Sequence, residues 1–165
     1  MIRVVFVCLG NICRSPMAEA LFRHKITQMG LHERIAADSA GTGDWHLGNP
    51  PHQRTQDILL KHGISIDNME ARLFTLKDAQ AYDYIVAMDK GNIEAIKKLI
   101  PESLNKKVFR LLDFLPGQSL RDIPDPYYSG NFEQVYNLVD EGTNALIDYI
   151  CQENHIHLDN MKKGE

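Results

Sequence analysis

Short apolar segments alternate along the chain with segments whose apolar positions recur at helical spacing. Residues 2–7 are apolar apart from Arg3 and rich in β-branched side chains, which predicts a strand buried on both faces. Residues 84–88 and 108–112 show the same pattern, and residues 35–39 show a weaker form of it. The hydrophobic pattern therefore predicts a sheet of several buried strands.

Helical patterns lie between and after these strands. Ser15 and Pro16 supply an N-cap and a favoured first residue for a helix that Gly30 ends. Further helices are predicted over residues 53–62, 75–80, 91–100 and 132–151. Strands that alternate with helices indicate an α/β fold, in which a single-domain, doubly wound parallel sheet carries helices on both faces.

Two segments rich in glycine, proline and polar residues, 41–52 and 116–131, are predicted to be long loops. Ligands of parallel sheets bind beyond the carboxyl ends of the strands, and long loops in compact domains are often functional. Residues 152–165 are polar and expected to fray. We therefore divide the chain into a domain of residues 1–155 and a polar tail of residues 156–165.

Composition and charge restrict the possible functions. The formal net charge of −4 leaves no basic stripe for a nucleic acid to bind. The apolar N-terminal run is too short for membrane insertion and lacks the layout of a signal peptide. Three cysteines, an odd number, argue against a disulfide framework and for a reducing compartment. These features predict a cytoplasmic protein.

The first predicted strand runs into the loop CLGNICR, which places Cys8 and Arg14 close together. A zinc or disulfide clip, a phosphate-binding loop with a nucleophile, and an ordinary strand-to-helix turn are the three interpretations. Zinc needs a second Cys or His pair at ligand spacing, and the sequence supplies none, so no metal is expected. The sequence also lacks the glycine–lysine motif of a nucleotide-binding loop.

A loop of this length can curl so that successive backbone N–H groups point at one centre and bind an anion. Gly10 and Asn11 best tolerate the left-handed backbone that such a curl needs. The following helix directs the positive end of its dipole at the same point, and Arg14 can bind two phosphate oxygens. Because helix N-termini and cations favour the thiolate of a nearby cysteine, Cys8 is a candidate nucleophile. Ser15 can donate a hydrogen bond to its sulfur.

A phosphate ester also needs an acid that protonates its leaving oxygen. Asp125 stands between Pro124 and Pro126 in the second long loop, and the two prolines stiffen its backbone. An isolated Asp-Pro pair is often just the start of a turn. The loop follows a strand of the same predicted sheet, however, which favours Asp125 as a general acid.

The segments VCLGNICRSPMAE, AGTGDWHLGNPPHQRT and DPYY, in this order, resemble the low-molecular-weight protein tyrosine phosphatases. The resemblance covers all of the chain except about the last dozen residues. It implies a flavodoxin-like, four-stranded parallel sheet and a two-step cysteine mechanism without metal or cofactor. The substrates it implies are phosphotyrosine-bearing proteins, and we expect a monomer.

The resemblance also assigns roles by position. Cys8 corresponds to the nucleophile, Arg14 to the phosphate clamp, and Asp125 to an acid that becomes the base in the second step. Asn11 and Ser15 correspond to residues that hold the loop and the thiolate. The phosphate-binding loop consists of Leu9, Gly10, Asn11, Ile12, Cys13 and Arg14.

Two further groups of residues have alternative interpretations. His62 matches a supporting histidine of the family, but a histidine at the exposed end of a helix is an equally good interpretation. A deep phosphate site selects phosphotyrosine over phosphoserine if its mouth has apolar walls. By loop placement the candidate walls are Leu9, Ile12, Trp45, Tyr127 and Tyr128. The alternative for Trp45 is a place in the core, which its polar and glycine-rich neighbours disfavour.

Other functions remain open on the same fold. Family members that act on phosphoarginine carry threonine where Ile12 stands, so Ile12 favours phosphotyrosine. A related arsenate reductase needs a relay of further cysteines, whereas Cys151 has the surroundings of a buried structural thiol. A non-catalytic phosphate-binding module would need neither Cys8 nor Asp125. Cys13 is either a redox partner of Cys8 or a small packing residue.

Overall fold

The computed structural model describes residues 1–157, and its centre is a four-stranded, all-parallel sheet. The strands are β1 (Ile2–Cys8), β2 (Ile35–Gly41), β3 (Tyr84–Ala87) and β4 (Val108–Arg110). Their order across the sheet is β2-β1-β3-β4, so β1 and β3 are central. This arrangement confirms the predicted doubly wound α/β fold.

Six α-helices accompany the sheet within the described residues: α1 (Arg14–Gln28), α2 (Gln53–Lys61), α3 (Leu76–Ala81), α4 (Lys90–Leu99), α5 (Pro126–Ser129) and α6 (Phe132–Glu153). Short 3₁₀ helices cover Glu102–Lys107 and Leu111–Phe114. None of the helices described here is long and apolar enough to cross a membrane.

Strand β1 is buried on both faces, as its apolar sequence predicts. Val4 and Phe6 belong to one hydrophobic core, which α1 and α6 cover, and Val5 and Val7 belong to a second core on the opposite face. The period of two along a strand produces this division. Because neighbouring parallel strands are in register with β1, the loops that follow them meet at one edge of the sheet.

The structure corrects the predicted boundaries at several points. Helix α1 begins at Arg14 with Cys13 as its N-cap, so Ser15 lies inside the helix instead of capping it. The last strand ends at Arg110, because Leu111 and Leu112 turn into a 3₁₀ helix whose side chains are fully buried.

The second long loop and the start of the tail also differ from the prediction. Asp125 caps α5, Pro126 is its first residue, and Gly130 ends it at a left-handed φ of 75°. Helix α6 continues to Glu153, and Ile156 is buried in the core that α6 covers. An apolar side chain thus fixes the start of the segment expected to fray; residues 158–165 lie outside the described residues.

Candidate active site

The loop between β1 and α1 lies at the carboxyl edge of the sheet. Asn11 has a φ of 55°, the left-handed conformation that an asparagine tolerates. Gly10 does not share this conformation, contrary to the sequence-based expectation. A Cβ atom at Gly10 would lie 3.0 Å from Cδ2 of His46, so any larger residue there would have to displace the His46 ring.

Carbonyl groups of the loop are bonded on its outer side. The N–H group of Thr42 donates to the Cys8 carbonyl oxygen at 3.0 Å, and that of Gly43 donates to the Leu9 carbonyl oxygen at 2.8 Å. Segment 41–52 therefore holds the loop from outside. Outward carbonyls are typical of a curled loop whose N–H groups face its centre.

The Cys8 thiol contacts a serine hydroxyl at the base of the loop. Its Sγ atom lies 3.0 Å from Oγ of Ser15, which accepts a hydrogen bond from Nδ2 of Asn11 at 2.8 Å. The N–H group of Arg72 donates to Oδ1 of Asn11 at 2.9 Å and fixes the orientation of the amide. Because Ser15 accepts from Asn11, its own hydrogen can be donated to the sulfur at 3.0 Å or to the Ala40 carbonyl oxygen at 3.4 Å.

Arg14 is buried beside the loop and contacts two carboxylates. Its Nη1 atom donates to Oδ2 of Asp89 at 2.6 Å and to the carbonyl oxygen of Ile123 at 2.9 Å, and its Nη2 atom donates to Oδ2 of Asp125 at 3.4 Å. No atom of residues 1–157 accepts a hydrogen bond from its buried Nε. The guanidinium thus keeps a donor for a further anion.

Arg14 stays positively charged near neutral pH. Burial lowers the pKa of Arg14, but the negative charges of Cys8, Asp89 and Asp125 oppose this effect, and the net result is a raised pKa. A guanidinium that stays charged can hold a phosphate dianion at any pH near neutrality.

Asp125 reaches the same place from the second long loop. Its Oδ1 caps α5 by accepting a hydrogen bond from the Tyr127 N–H group at 3.1 Å, while Oδ2 faces Arg14. The side chain is 22% exposed, so a substrate can contact it from the solvent side. The structure therefore brings together the thiol, the guanidinium and the carboxyl group that the sequence places far apart.

A cavity of about 280 Å³ opens over these groups. Its lining contains every residue predicted as a pocket wall, and it consists of Cys8, Leu9, Gly10, Ile12, Cys13, Arg14, Trp45, His46, Asp125, Tyr127 and Tyr128. Trp45 and Tyr128 are 69% and 77% exposed, so their rings stand at the mouth of the cavity and not in the core.

Two predicted site residues, His62 and Cys13, lie in surroundings that differ from those of the nucleophile, the arginine and the acid. His62 does not line the cavity; its ring stacks on Tyr136 of α6 with 4.2 Å between the centroids. Cys13 lines the cavity, but burial, together with the charges of Cys8 and Asp125, raises the pKa of its thiol to about 12. Cys13 is therefore a neutral thiol near pH 7.

Sequence reasoning missed several residues around the loop. Asp89 follows β3 and caps α4, so its place at a helix start could have been read from the sequence. Its contact with Arg14 spans 75 positions and has no local signal. His46 also lines the cavity, and its only sequence signal is its place next to Trp45 in the first long loop.

Residues 1–157 contain no group of three or more His, Cys, Asp or Glu side chains placed to hold a metal ion. The site combines a cysteine sulfur at the base of an anion-binding loop with a buried arginine and a carboxyl group. This combination defines a class of proteins that bind a phosphate monoester for attack by a thiolate.

Comparison with known proteins specifies the family within this class. The family model described as low molecular weight phosphotyrosine protein phosphatase matches residues 3–156. The chain belongs to this family, which confirms the resemblance of its three motifs.

Individual relatives agree in sequence and in structure. The chain is 49% identical to the low molecular weight protein-tyrosine-phosphatase YfkJ of Bacillus subtilis, over 94% of this chain and all of the relative. It is 48% identical to PtpA of Staphylococcus aureus strain Newman, over 99% of this chain and all of the relative.

Solved structures share the fold. The crystal structure of YfkJ aligns with a TM-score of 0.90 at 50% identity, over 93% of this chain and 96% of the other. DARP, a Drosophila arginine phosphatase, aligns with a TM-score of 0.81 at 32% identity, over 89% and 96% of the two chains.

Proposed function

We propose that the protein is a metal-independent protein tyrosine phosphatase that hydrolyses phosphotyrosine monoesters through a cysteinyl-phosphate intermediate. The observation that carries the proposal is the convergence of Cys8, Arg14 and Asp125 on one cavity. Family membership and the names of the relatives support it.

In the first step, the Cys8 thiolate attacks phosphorus in line with the leaving phenolic oxygen. The loop N–H groups and Arg14 stabilise the charge on the equatorial oxygens. Asp125, in its protonated form, gives its proton to the phenolic oxygen as the P–O bond breaks. A phosphorus–sulfur bond forms, and tyrosine leaves as the neutral phenol.

In the second step, the Asp125 carboxylate removes a proton from a water molecule that attacks the phosphorylated Cys8. The phosphorus–sulfur bond breaks, and the sulfur leaves as a thiolate that the Ser15 hydroxyl can stabilise by a hydrogen bond. Inorganic phosphate is released. Asp125 is protonated again, ready for the next turnover.

The cavity walls support selectivity for an aromatic ester. Leu9 and Ile12 of the loop provide apolar surface in the cavity, and the Trp45 and Tyr127 rings extend this surface to the mouth. A phenyl phosphate spans the distance from the loop to these rings, whereas a phosphoserine side chain is too short to use both. The substrates we propose are therefore phosphotyrosine-bearing proteins.

Phosphoarginine is a second candidate substrate, because the chain resembles a Drosophila arginine phosphatase. Ile12 lines the cavity with an apolar side chain and offers no hydroxyl group to a guanidinium. An arsenate reductase needs a further cysteine relay; of three cysteines, two lie in the loop and Cys151 is buried in α6. Phosphotyrosine is therefore the better-supported substrate. A monomeric state and a cytoplasmic location stay predictions.

A panel of phosphotyrosine, phosphoserine and phosphoarginine peptides tests the proposal. We expect turnover of phosphotyrosine and at most weak turnover of the other two. Cys8→Ser should abolish turnover, because a serine hydroxyl is not ionised near neutral pH. Cys151→Ala, a change at a buried thiol outside the cavity, is the matched control and should keep its activity. Appreciable turnover by Cys8→Ser would refute the covalent mechanism, and preferred turnover of phosphoarginine would change the substrate.

A further inference from the structure

A chain of buried hydrogen bonds leads from the Cys8 sulfur away from the cavity. Ser15 contacts the sulfur, Asn11 donates to Ser15, and Asn11 Nδ2 also donates to Oγ of Ser39 at 3.0 Å. The chain ends at Glu19, whose Oε1 accepts a hydrogen bond from Oγ of Ser39 at 2.6 Å. None of its five residues is more than 5% exposed.

The orientation of the Asn11 amide determines the direction of its bonds to the two serines. Oδ1 of Asn11 accepts from the backbone N–H group of Arg72, so the NH₂ group must face the two serines. One amide hydrogen goes to Ser15 and the other to Ser39. Each serine oxygen is thus an acceptor toward Asn11, and each serine hydrogen points away from it.

The two ends of the chain therefore receive the two serine hydrogens. The Ser15 hydrogen has two acceptors within reach, the Cys8 sulfur at 3.0 Å and the Ala40 carbonyl oxygen at 3.4 Å, and the sulfur is the nearer of the two. The Ser39 hydrogen goes to the Glu19 carboxylate. A hydrogen bond to a charged acceptor is shorter and stronger than one between neutral groups. A short bond of 2.6 Å to Glu19 is consistent with an ionised carboxylate.

Glu19 is held as an acceptor by its surroundings. Its Oε2 forms an ion pair with Arg23 at 2.8 Å, one turn further along α1. Burial raises the pKa of Glu19, and the Ser39 hydrogen bond and Arg23 oppose this effect without reversing it. Asp38 and Arg72 also act on its charge, with opposite signs. Glu19 does not line the cavity, so it cannot touch a substrate there.

We propose that Glu19 is a positioning residue for the Cys8 thiolate. By accepting the Ser39 hydrogen, it leaves the Ser39 oxygen free to accept from Asn11 and so strengthens the chain of bonds that ends at the Ser15 hydroxyl and the Cys8 sulfur. The geometry of the chain is independent of the proposed phosphatase activity; only the effect on turnover rests on it.

Two other roles of Glu19, a merely structural one and a direct effect of its charge, predict different changes in the reactivity of Cys8. If Glu19 only linked α1 to β2, its loss would lower stability without changing the reactivity of Cys8. If its negative charge acted through space, its removal would favour the thiolate and lower the pH at which Cys8 reacts. A role through the hydrogen-bond chain predicts the opposite sign.

The experiment measures the pH midpoint of Cys8 alkylation by iodoacetamide, a neutral reagent, followed by peptide mass spectrometry. The variants are Glu19→Met, which removes the acceptor at similar length, Glu19→Gln, which keeps an acceptor oxygen without the charge, and Ser39→Ala. Thr143→Val, a buried polar change in α6 that bonds to Lys25 and not to the chain, is the matched control. Thermal unfolding confirms that each variant is folded.

We expect Glu19→Met and Ser39→Ala to raise the midpoint by about half a pH unit, because the loss of one bond weakens the next by a fraction of its strength. In turnover, kcat/KM below the midpoint should fall about threefold with little change in the KM for an aryl phosphate. Glu19→Gln and Thr143→Val should keep the original midpoint.

An unchanged or lowered midpoint in both Glu19→Met and Ser39→Ala would overturn the proposal, as would a Glu19→Gln variant as impaired as Glu19→Met. If Glu19→Met does not fold, the Ser39→Ala midpoint decides. Alkylation does not need phosphatase activity. A chain whose alkylation midpoint shifts as expected but which turns over no phosphate ester would therefore contradict the proposed function and leave this inference standing.

Discussion

At the scale of single residues, Asp125 divides its two carboxylate oxygens between the N-cap of α5 and Arg14. We predict that Asp125→Ala loses about 10²–10⁴ in rate on phenyl phosphate, whose leaving group needs a proton. The loss on para-nitrophenyl phosphate should be smaller, because nitrophenolate leaves without much protonation. Steady-state rates on the two esters give the comparison.

Asp122 of the same loop is the matched control for that prediction. It bonds to Arg110 and to the Lys90 N–H group and does not line the cavity. Asp122→Ala should change the rates on both esters equally, if at all. Equal losses on both esters in Asp125→Ala itself would mean that Asp125 acts through the structure of the loop alone.

Cys13 lines the cavity beside Cys8, which makes a redox role testable. Peroxide oxidises a thiolate to a sulfenic acid, and a neighbouring thiol condenses with it to a disulfide and water. Because burial raises the pKa of Cys13 to about 12, Cys8 is the cysteine that peroxide attacks first. We predict reversible inactivation by peroxide, protection by phosphate, and poorer recovery in Cys13→Ser.

Peptide mapping after peroxide treatment decides between the two interpretations of Cys13. A linkage between Cys8 and Cys13 that a thiol reductant removes would establish the redox partner. Sulfinic acid on Cys8 without any such linkage would leave Cys13 as a packing residue.

At the scale of elements, Gly142 lies where α6 packs against the 3₁₀ helix that follows β4. A Cβ atom at Gly142 would lie 2.8 Å from Cγ of Leu111, a side chain that is fully buried. Alanine normally stabilises the interior of a helix by about 1 kcal/mol relative to glycine. We predict the opposite sign here, a loss of about 1–3 kcal/mol from overpacking, measured by denaturant unfolding.

Gly91 of α4 provides the control for that sign. A Cβ atom there would meet only Oδ1 of Asp89, at 3.4 Å, which is an ordinary contact. Gly91→Ala should therefore be neutral or stabilising. In a protein that already carries Leu111→Ala, Gly142→Ala should lower the free energy of unfolding by less than it does in the unaltered protein. Equal costs in the two backgrounds would argue against a clash.

Elements with strong local signals were predictable from the sequence. The spacing of apolar residues predicts the buried strand β1 and the helix α2 directly. The loop between Cys8 and Arg14 is bounded by a strand pattern before it and a helix pattern after it. Leu111 and Leu112 have a strand-like sequence, but they turn inward, because packing against α6 outweighs local propensity.

Contacts between distant segments were not predictable. Nothing near Asp89 indicates that its carboxylate bonds Arg14, and nothing near Ser39 indicates that it joins Asn11 to Glu19. These contacts depend on which strands become neighbours in the sheet. A single sequence encodes that order only through the fold as a whole.

At the scale of the whole molecule, loops from separate parts of the chain meet over the carboxyl ends of β1 and β3, so an anion bound there should stabilise the folded state. Inorganic phosphate at ten times its dissociation constant adds about 1.4 kcal/mol to the free energy of unfolding. For a chain of this size we predict a rise in Tm of about 3–5 °C.

A variant of the nucleophile and a variant of the arginine test whether phosphate raises the Tm by binding in the cavity. Cys8→Ser should show the same rise as the unaltered protein, because the loop backbone and Arg14 hold the phosphate. Arg14→Gln should show little or none, and neither should the unaltered protein in chloride of equal ionic strength. A full rise in Arg14→Gln would mean that phosphate binds elsewhere.

The chain contains a single tryptophan, and this residue, Trp45, stands 69% exposed at the mouth of the cavity. Its indole is surrounded by water on one side and faces the substrate site on the other. An aromatic ester that covers the ring excludes that water, which shifts the emission of the indole toward shorter wavelength. The protein thus carries its own fluorescent reporter of occupancy, and binding can be followed in real time without a label.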